Sequence, residues 1–222
     1  MTVLRREFAR LLFQCLNRFD FILIEGEIGF DQFLKDGAVL RLLLRRTDLP
    51  SILKSVGACD QLERQGLNKG YRSSQLTLVY DQKVVFHLEL LHKLTHHSLV
   101  ILDEEQLLRD KIEKEGGAYF PSIEHLFEWM VLKNYLVHNG LSDVQYNYFR
   151  DFHILFKEDL MDAFNQKYGS QFQHLTQLLH FRVHEKERML ARIRQLPANQ
   201  LMNTIQMRWN EWMGAIRQAK LF

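Results

Sequence analysis

The chain of 222 residues lacks several of the features on which a function is usually read. It has only two cysteines, Cys15 and Cys59, each set in an apolar pattern. Two isolated thiols make neither a disulfide scaffold nor a zinc knuckle, and they fit a reducing cytoplasm. No apolar run approaches the ~18 residues of a membrane-spanning helix. The N-terminus carries Arg5, Arg6, Glu7 and Arg10 in a helical pattern, without the basic-then-apolar layout of a signal peptide. Charge of one sign is missing too. With 29 basic and 27 acidic residues the net charge is +2, so nothing drives the whole chain toward nucleic acid or a membrane. There is no Gly-x-Gly-x-x-Gly, no P-loop and no Gly-x-Ser-x-Gly, which argues against dinucleotide oxidoreductases, P-loop NTPases and α/β-hydrolases. No internal repeat or low-complexity segment occurs.

What is present is ordinary globular material. Hydrophobic residues make up 46% of the chain and charged residues 25%, enough for a real core. Sixteen phenylalanines point to a core of large aromatics. Leu4, Phe8, Leu11, Leu12, Cys15, Leu16 and Phe19 share one face of a helix. Phe21 to Ile24 and Val39 to Leu44 read as buried strands. Asp48 and Pro50 open a short helix that Gly57 closes. The alternation of Ser74 to Tyr80, the turn at Asp81-Gln82-Lys83 and Val84 to Leu91 predict a hairpin. A further strand is expected over 59–64, followed by a basic loop, Asn68-Lys69-Gly70-Tyr71-Arg72. Beyond Asp103 the period becomes helical. Leu107, Leu108 and Ile112 mark one helix, ended by Gly116-Gly117. Ser122 opens a second with Ile123, Leu126, Phe127, Met130, Val131 and Tyr135 on one side. Ser142 opens a third, and further helices follow with breaks at Gly169 and Pro197. The last carries Leu201, Ile205, Trp209, Trp212 and Ile216, an aromatic stripe suited to core packing or to a partner or dimer interface.

This order of elements resembles the nucleotidyltransferase superfamily, and within it the loosely characterised bacterial nucleotidyltransferase-like proteins. Ile24-Glu25-Gly26 stands where that family has Leu-Lys/Arg-Gly. Leu88-Glu89-Leu90 stands where its third acidic strand reads Val-Asp/Glu-Leu, and Phe149-Arg150-Asp151-Phe152 takes the place of an Asp-centred helical segment. The resemblance implies an α+β fold: a small mixed-sheet core over residues 1–115 and an all-helical part over 116–222.

The departures carry the functional expectation. The family's Gly-Ser-Asp-x-Asp motif falls on Gly37-Ala38-Val39-Leu40-Arg41. Alternate positions of a strand share a face, so the two family carboxylates grip Mg²⁺ together. Here those positions hold Val39 and Arg41. An isopropyl group ligates nothing, and a guanidinium repels the cation. The resemblance therefore implies a transferase scaffold without its metal acids, serving as a binding or regulatory module for an anionic small molecule or nucleotide. Gly26, Gly37, Arg41, Arg45, Lys69 and Arg72 are its candidate ligand-binding residues. No metal or cofactor is expected. A charged Arg41 between Leu40 and Leu42 needs a partner, and Glu89 on the neighbouring strand is the expected one.

Two other readings stand beside it. One is a divergent active transferase modifying a small molecule, with Asp36 and Glu89 as acids and Mg²⁺ as cofactor; Asp31 and Asp48 also lie near. The other is a structural protein that docks, or dimerises, through its C-terminal helices. His92 with His96, and His180 with His184, have the spacing of helical zinc ligands, against which stands the absence of a third ligand. His87 shares a strand face with Glu89 and could act as a base, or be a core or interface histidine. The basic run from Arg182 to Arg194 is broken by Glu185 and Glu187, and nucleic acid is not an expected partner.

Overall fold

The computed structural model describes residues 2–24, 39–59, 63–69, 73–80, 83–96, 99–113, 117–138, 140–157, 159–180, 183–197 and 199–200. Its centre is a five-stranded mixed sheet. The strands are β1 (Phe21–Leu23), β2 (Val39–Leu44), β3 (Glu63–Lys69), β4 (Ser73–Tyr80) and β5 (Lys83–Leu91), in the order β1-β2-β5-β4-β3. β2 and β5 run parallel, and every other neighbouring pair is antiparallel.

Alternation along β2 sends its residues to two different cores. Leu40, Leu42 and Leu44 face helices α1 (Thr2–Leu16) and α2 (Leu49–Gly57), packing with Phe8, Leu12 and Phe13. Leu43, with Ile22 and Ile24, faces the other way into a core shared with the helical part. Each such leucine contributes about 1.5–3 kcal/mol by leaving water, more than any local strand preference, so this alternation fixes the register.

The helical part is built on α4 (Ile123–Val137), α5 (Asp143–Phe156), α6 (Leu160–Tyr168) and α7 (Val183–Arg194). Ser122 caps α4 by accepting from the His125 N–H, and Ser142 and Gln145 form a capping box at α5. α4 is buried on nearly all sides: Trp129, Leu132 and Leu136 are enclosed as well as Phe127, Met130, Val131 and Tyr135. The expected single stripe on this helix is therefore too narrow. α6 ends on Gly169 at φ 65°. Gly140 is needed for a different reason. A Cβ there would lie 1.9 Å from the Leu179 carbonyl oxygen, beside the 2.8 Å bond from Leu141 N–H to Leu178 C=O.

A polar cluster lies inside this part. His125 Nε2 is 3.1 Å from Asp110 Oδ2, and its Nδ1 is 3.4 Å from Glu128 Oε2. The other oxygen of Glu128 accepts from the Tyr168 hydroxyl and pairs with Lys167. Burial raises the Glu128 pKa, but His125, Lys167 and Tyr168 outweigh it and hold the carboxyl below its ordinary range. Glu128 in turn raises His125, with Asp110 helping and burial opposing. Burial and the adjacent carboxylate push the Tyr168 phenol far up, so it stays a donor.

The α+β class is as expected, with a small mixed sheet followed by a helical half, and most elements fall where the sequence places them. Several do not. The helix expected to include Ile112 is only α3 (Glu104–Arg109). Asp110 leaves it to meet His125, and β8 (Ile112–Glu113) pairs with β9 (Tyr119–Phe120). The strand expected over 59–64 is β3, and Asn68 and Lys69 belong to it rather than to a loop. β3 is an edge strand with an irregularity between Gln65 and Asn68, where Gly66 takes φ 63°. A further small ladder, β6 (Leu94–His96) with β7 (Leu99–Leu102), was not expected. Asp48 precedes α2 but its side chain caps nothing, because it closes a 3-10 turn over Arg46–Asp48.

The histidine pairs lose their helical premise. His92 is buried just after β5, with Nε2 3.2 Å from Ser74 Oγ, and His96 is in β6. His180 precedes the start of α7, so it does not stand one turn before His184. The two cysteines, isolated in sequence, are brought together: their sulfurs are 3.0 Å apart and unbonded.

Candidate functional site

Among the described residues, the sheet face opposite α1 and α2 packs on the helical part through Ile22, Ile24 and Leu43. Toward the start of β2 it carries Val39 and Arg41, beside His87 and Glu89 of β5 and Gln75 and Thr77 of β4. Parallel pairing sets Arg41 against Glu89 and Val39 against His87. Antiparallel pairing then sets Glu89 against Gln75 and His87 against Thr77. In a ladder, paired residues point to the same side, so four backbone registers bring these side chains to one face.

The ion pair expected there is present. Arg41 Nε donates to Glu89 Oε2 at 2.6 Å, and both side chains are half-buried. A charge-assisted bond of this length fixes the guanidinium in place. It stands where two clefts meet. One, of about 350 Å³, is lined by Arg41, Glu89, Lys93, Trp129, Lys133 and Leu136. The other, of about 320 Å³, runs over Val39, Asn68, Gln75, Thr77 and His87 and shares Arg41 and Glu89. Thr77 Oγ1 lies 3.3 Å from His87 Nδ1 on that side. Each volume suits a small organic ligand. Among the described residues, the lining of the first cleft has three cationic side chains and one carboxylate, with an indole and a leucine as apolar wall. That combination attracts a compact anion with a flat or apolar portion.

The described donors of this site do not fit Mg²⁺. A divalent cation needs six or so converging oxygens, several of them carboxylate. The two alternate positions of β2 offer an isopropyl and a guanidinium, and the Glu89 carboxylate is already bound to the guanidinium. Among the described residues no three His, Cys, Asp or Glu side chains converge as metal ligands.

The structure divides the other candidate residues. Arg45 is engaged elsewhere: it makes two 3.0 Å bonds and one of 2.9 Å to Glu105 and pairs with Asp20, which Lys111 meets at 2.7 Å. Lys111 and Arg45 hold the Asp20 carboxyl below its ordinary range. Arg45 thus ties the exit of β2 to α3 and to the segment after α1. Lys69 sits on β3 in register with Ser74, one position out of phase with the Asn68–Gln75 pair. Gly26, Asp31, Asp36, Gly37 and Arg72 lie outside the described residues, as do Trp209 and Trp212. Lys93, Trp129 and Lys133 were not foreseen. Lys93 follows a strand with no motif around it, and Trp129 and Lys133 lie off the apolar stripe of α4 that the sequence displays.

No family model matches the chain, and no curated protein does either. Among solved structures it is similar to JHP933 from Helicobacter pylori, at 12% identity over 97% of each chain with a TM-score of 0.44. It is also similar to a protein from H. pylori described as a "putative nucleotidyltransferase", at 12% identity over 92% of this chain and 97% of that one, with a TM-score of 0.40. Neither likeness is close enough to transfer a residue role.

Proposed function

We propose that the protein is a binding or regulatory module for an anionic ligand, a nucleotide or another phosphorylated small molecule, on a transferase-like scaffold that has lost its metal acids. The observation that carries this is the Arg41–Glu89 pair on that sheet face, at the junction of the two clefts. Arg41 takes over the charge role of a metal ion: it is a fixed cation that needs no carboxylate cage and meets phosphate oxygens through a planar fork. Glu89 orients it and balances its charge when no ligand is bound. Lys93 and Lys133 extend the positive wall, and Trp129 with Leu136 gives a base or other flat group a surface. No reaction is assigned to the module.

The test is a titration of the full chain with ATP, followed by tryptophan fluorescence and calorimetry in excess EDTA and again with Mg²⁺. Binding in EDTA within about twofold of that with Mg²⁺, weakened at least ~10-fold by Arg41→Ala, is expected; tenfold corresponds to about 1.4 kcal/mol. Mg²⁺-dependent transfer from any nucleoside triphosphate, abolished by Glu89→Ala, would overturn the proposal in favour of a divergent enzyme.

A further inference from the structure

The only two thiols of the chain meet behind the sheet. Cys15 lies in the last turn of α1, and Cys59 lies two residues past the end of α2. Their sulfurs are 3.0 Å apart, nearer than two unbonded sulfurs ordinarily sit and about 1 Å beyond a disulfide bond. Both residues are half-buried, so a small oxidant can reach them. The pairing is held by the packing of both helices on one core: Leu12 and Leu16 of α1 and Ile52 and Val56 of α2 share it, with Cys59 against its edge. Arg18 also bonds to Ser55 Oγ, tying the end of α1 to α2 one turn before Cys59. Two independent features thus bring these thiols to bonding range, in a place remote from the clefts.

We propose that Cys15 and Cys59 are a redox modification site that closes to an intramolecular disulfide when a peroxide is the oxidant. The reaction has two steps. The Cys59 sulfur attacks one peroxide oxygen, the O–O bond breaks, and the thiol proton leaves with the departing oxygen as water, giving a sulfenic acid. The Cys15 sulfur then attacks the Cys59 sulfur. The S–S bond forms, the S–O bond breaks, and the hydroxyl leaves with the Cys15 proton as a second water. Two thiols are oxidised by two electrons and one peroxide is reduced to two waters. Cys59 goes first because the Cys15 thiol is the donor to the Cys59 sulfur at 3.0 Å and so keeps its proton; burial and that bond also push the Cys15 thiol up to about 11. As resolving thiol Cys15 needs only proximity. The bond would close the loop from residue 15 to residue 59, which contains all of β2.

The reduced full-length chain, treated with a small excess of hydrogen peroxide and then alkylated and digested with trypsin, tests this. The expected product is the peptide of residues 11–18 linked to that of 55–64, two hydrogens lighter than the separate pair and released by dithiothreitol. The oxidised protein should melt roughly 5 °C or more higher, since a closed loop removes freedom from the unfolded chain. In Cys15→Ser, dimedone should trap a sulfenic acid at Cys59. Two separately alkylated cysteines after peroxide, sulfinic acid at either, or disulfide found only between chains would each overturn the proposal. Dimedone capture of Cys15 in Cys59→Ser, with none at Cys59 in Cys15→Ser, would overturn the order of attack.

Discussion

Replacing Glu128 with leucine should cost about 3–4 kcal/mol, and the reasoning can be followed group by group. Glu128 is 6% exposed and Tyr168 1% exposed, so neither finds water when its partner goes. The Tyr168 hydroxyl would be orphaned, at about 1–3 kcal/mol. His125 would keep Asp110 at 3.1 Å but lose its buried carboxylate partner. Lys167 is 42% exposed and returns to solvent at little cost. Breaking a buried ion pair from one side costs about 3–5 kcal/mol, and the better fit of leucine to an apolar site takes some of that back. Tyr168→Phe should cost less, about 1–2 kcal/mol, because Glu128 keeps His125 and Lys167. Urea denaturation at several pH values gives the second half of the test. Glu128 has a depressed pKa, so its contribution is full above the ordinary 4.5 and is lost as pH falls through the lower folded value. His125 has a raised pKa, so its contribution is full below the ordinary 6.5 and is lost as pH rises through the higher folded value. The cluster should therefore support the fold most strongly between about pH 4.5 and 6.5, and Glu128→Leu should flatten the profile on both sides of that window. A loss under 1 kcal/mol, or a pH profile parallel to the parent's, would show that the cluster is not coupled as described.

Other outcomes follow from the same geometry. Arg45→Ala should cost roughly 1 kcal/mol, since its pairs are partly exposed, and leave ATP binding unchanged, which separates the tie from the cleft. Calorimetry with the variant checks both. Gly140→Ala should lower stability by roughly 1–3 kcal/mol in chemical denaturation, because the methyl meets a backbone carbonyl that cannot rotate away. A segment of residues 116–222 expressed alone should be poorly soluble, because Ile22, Ile24 and Leu43 of the sheet complete its core; a monomeric, sharply melting fragment would show that these strands are dispensable.

How far the site was legible turns on particular residues. Leu40, Leu42 and Leu44 announce β2 by alternation, and Arg41 among them demands a partner, so the strand and its charge pair could both be read. Glu89 was reachable for the same reason: it breaks an apolar run two positions from His87. The polar edge strand β3 gave no such signal, because an edge needs no buried face and its residues are chosen against further pairing. Lys93, Trp129 and Lys133 join the cleft through tertiary packing of β5, β6 and α4, which no local pattern encodes. The cysteines show the same limit. Each looks like a small core residue in its own helix or loop, and only the docking of α1 on α2 makes them a pair. The end of α3 is a case of competition, where Asp110 prefers His125 to another turn of helix.

The parallel pairing of β2 with β5 also fixes when the site comes into being. β3, β4 and β5 form a meander of neighbours in sequence, so their contacts close short loops. β2 must reach across α2 and that meander to find β5, and the loop it closes is long. Contacts of high sequence separation form late and slowly, after local ones have been made. Arg41 and Glu89 are 48 residues apart, so the cleft should be one of the last parts of the sheet to assemble. Until residue 89 has left the ribosome, Arg41 has no Glu89 to meet. A nascent chain thus carries Arg41 ahead of Glu89, on a strand that β1 pairs along one edge only, and anions or chaperones present at that stage would meet the other edge before β5 does.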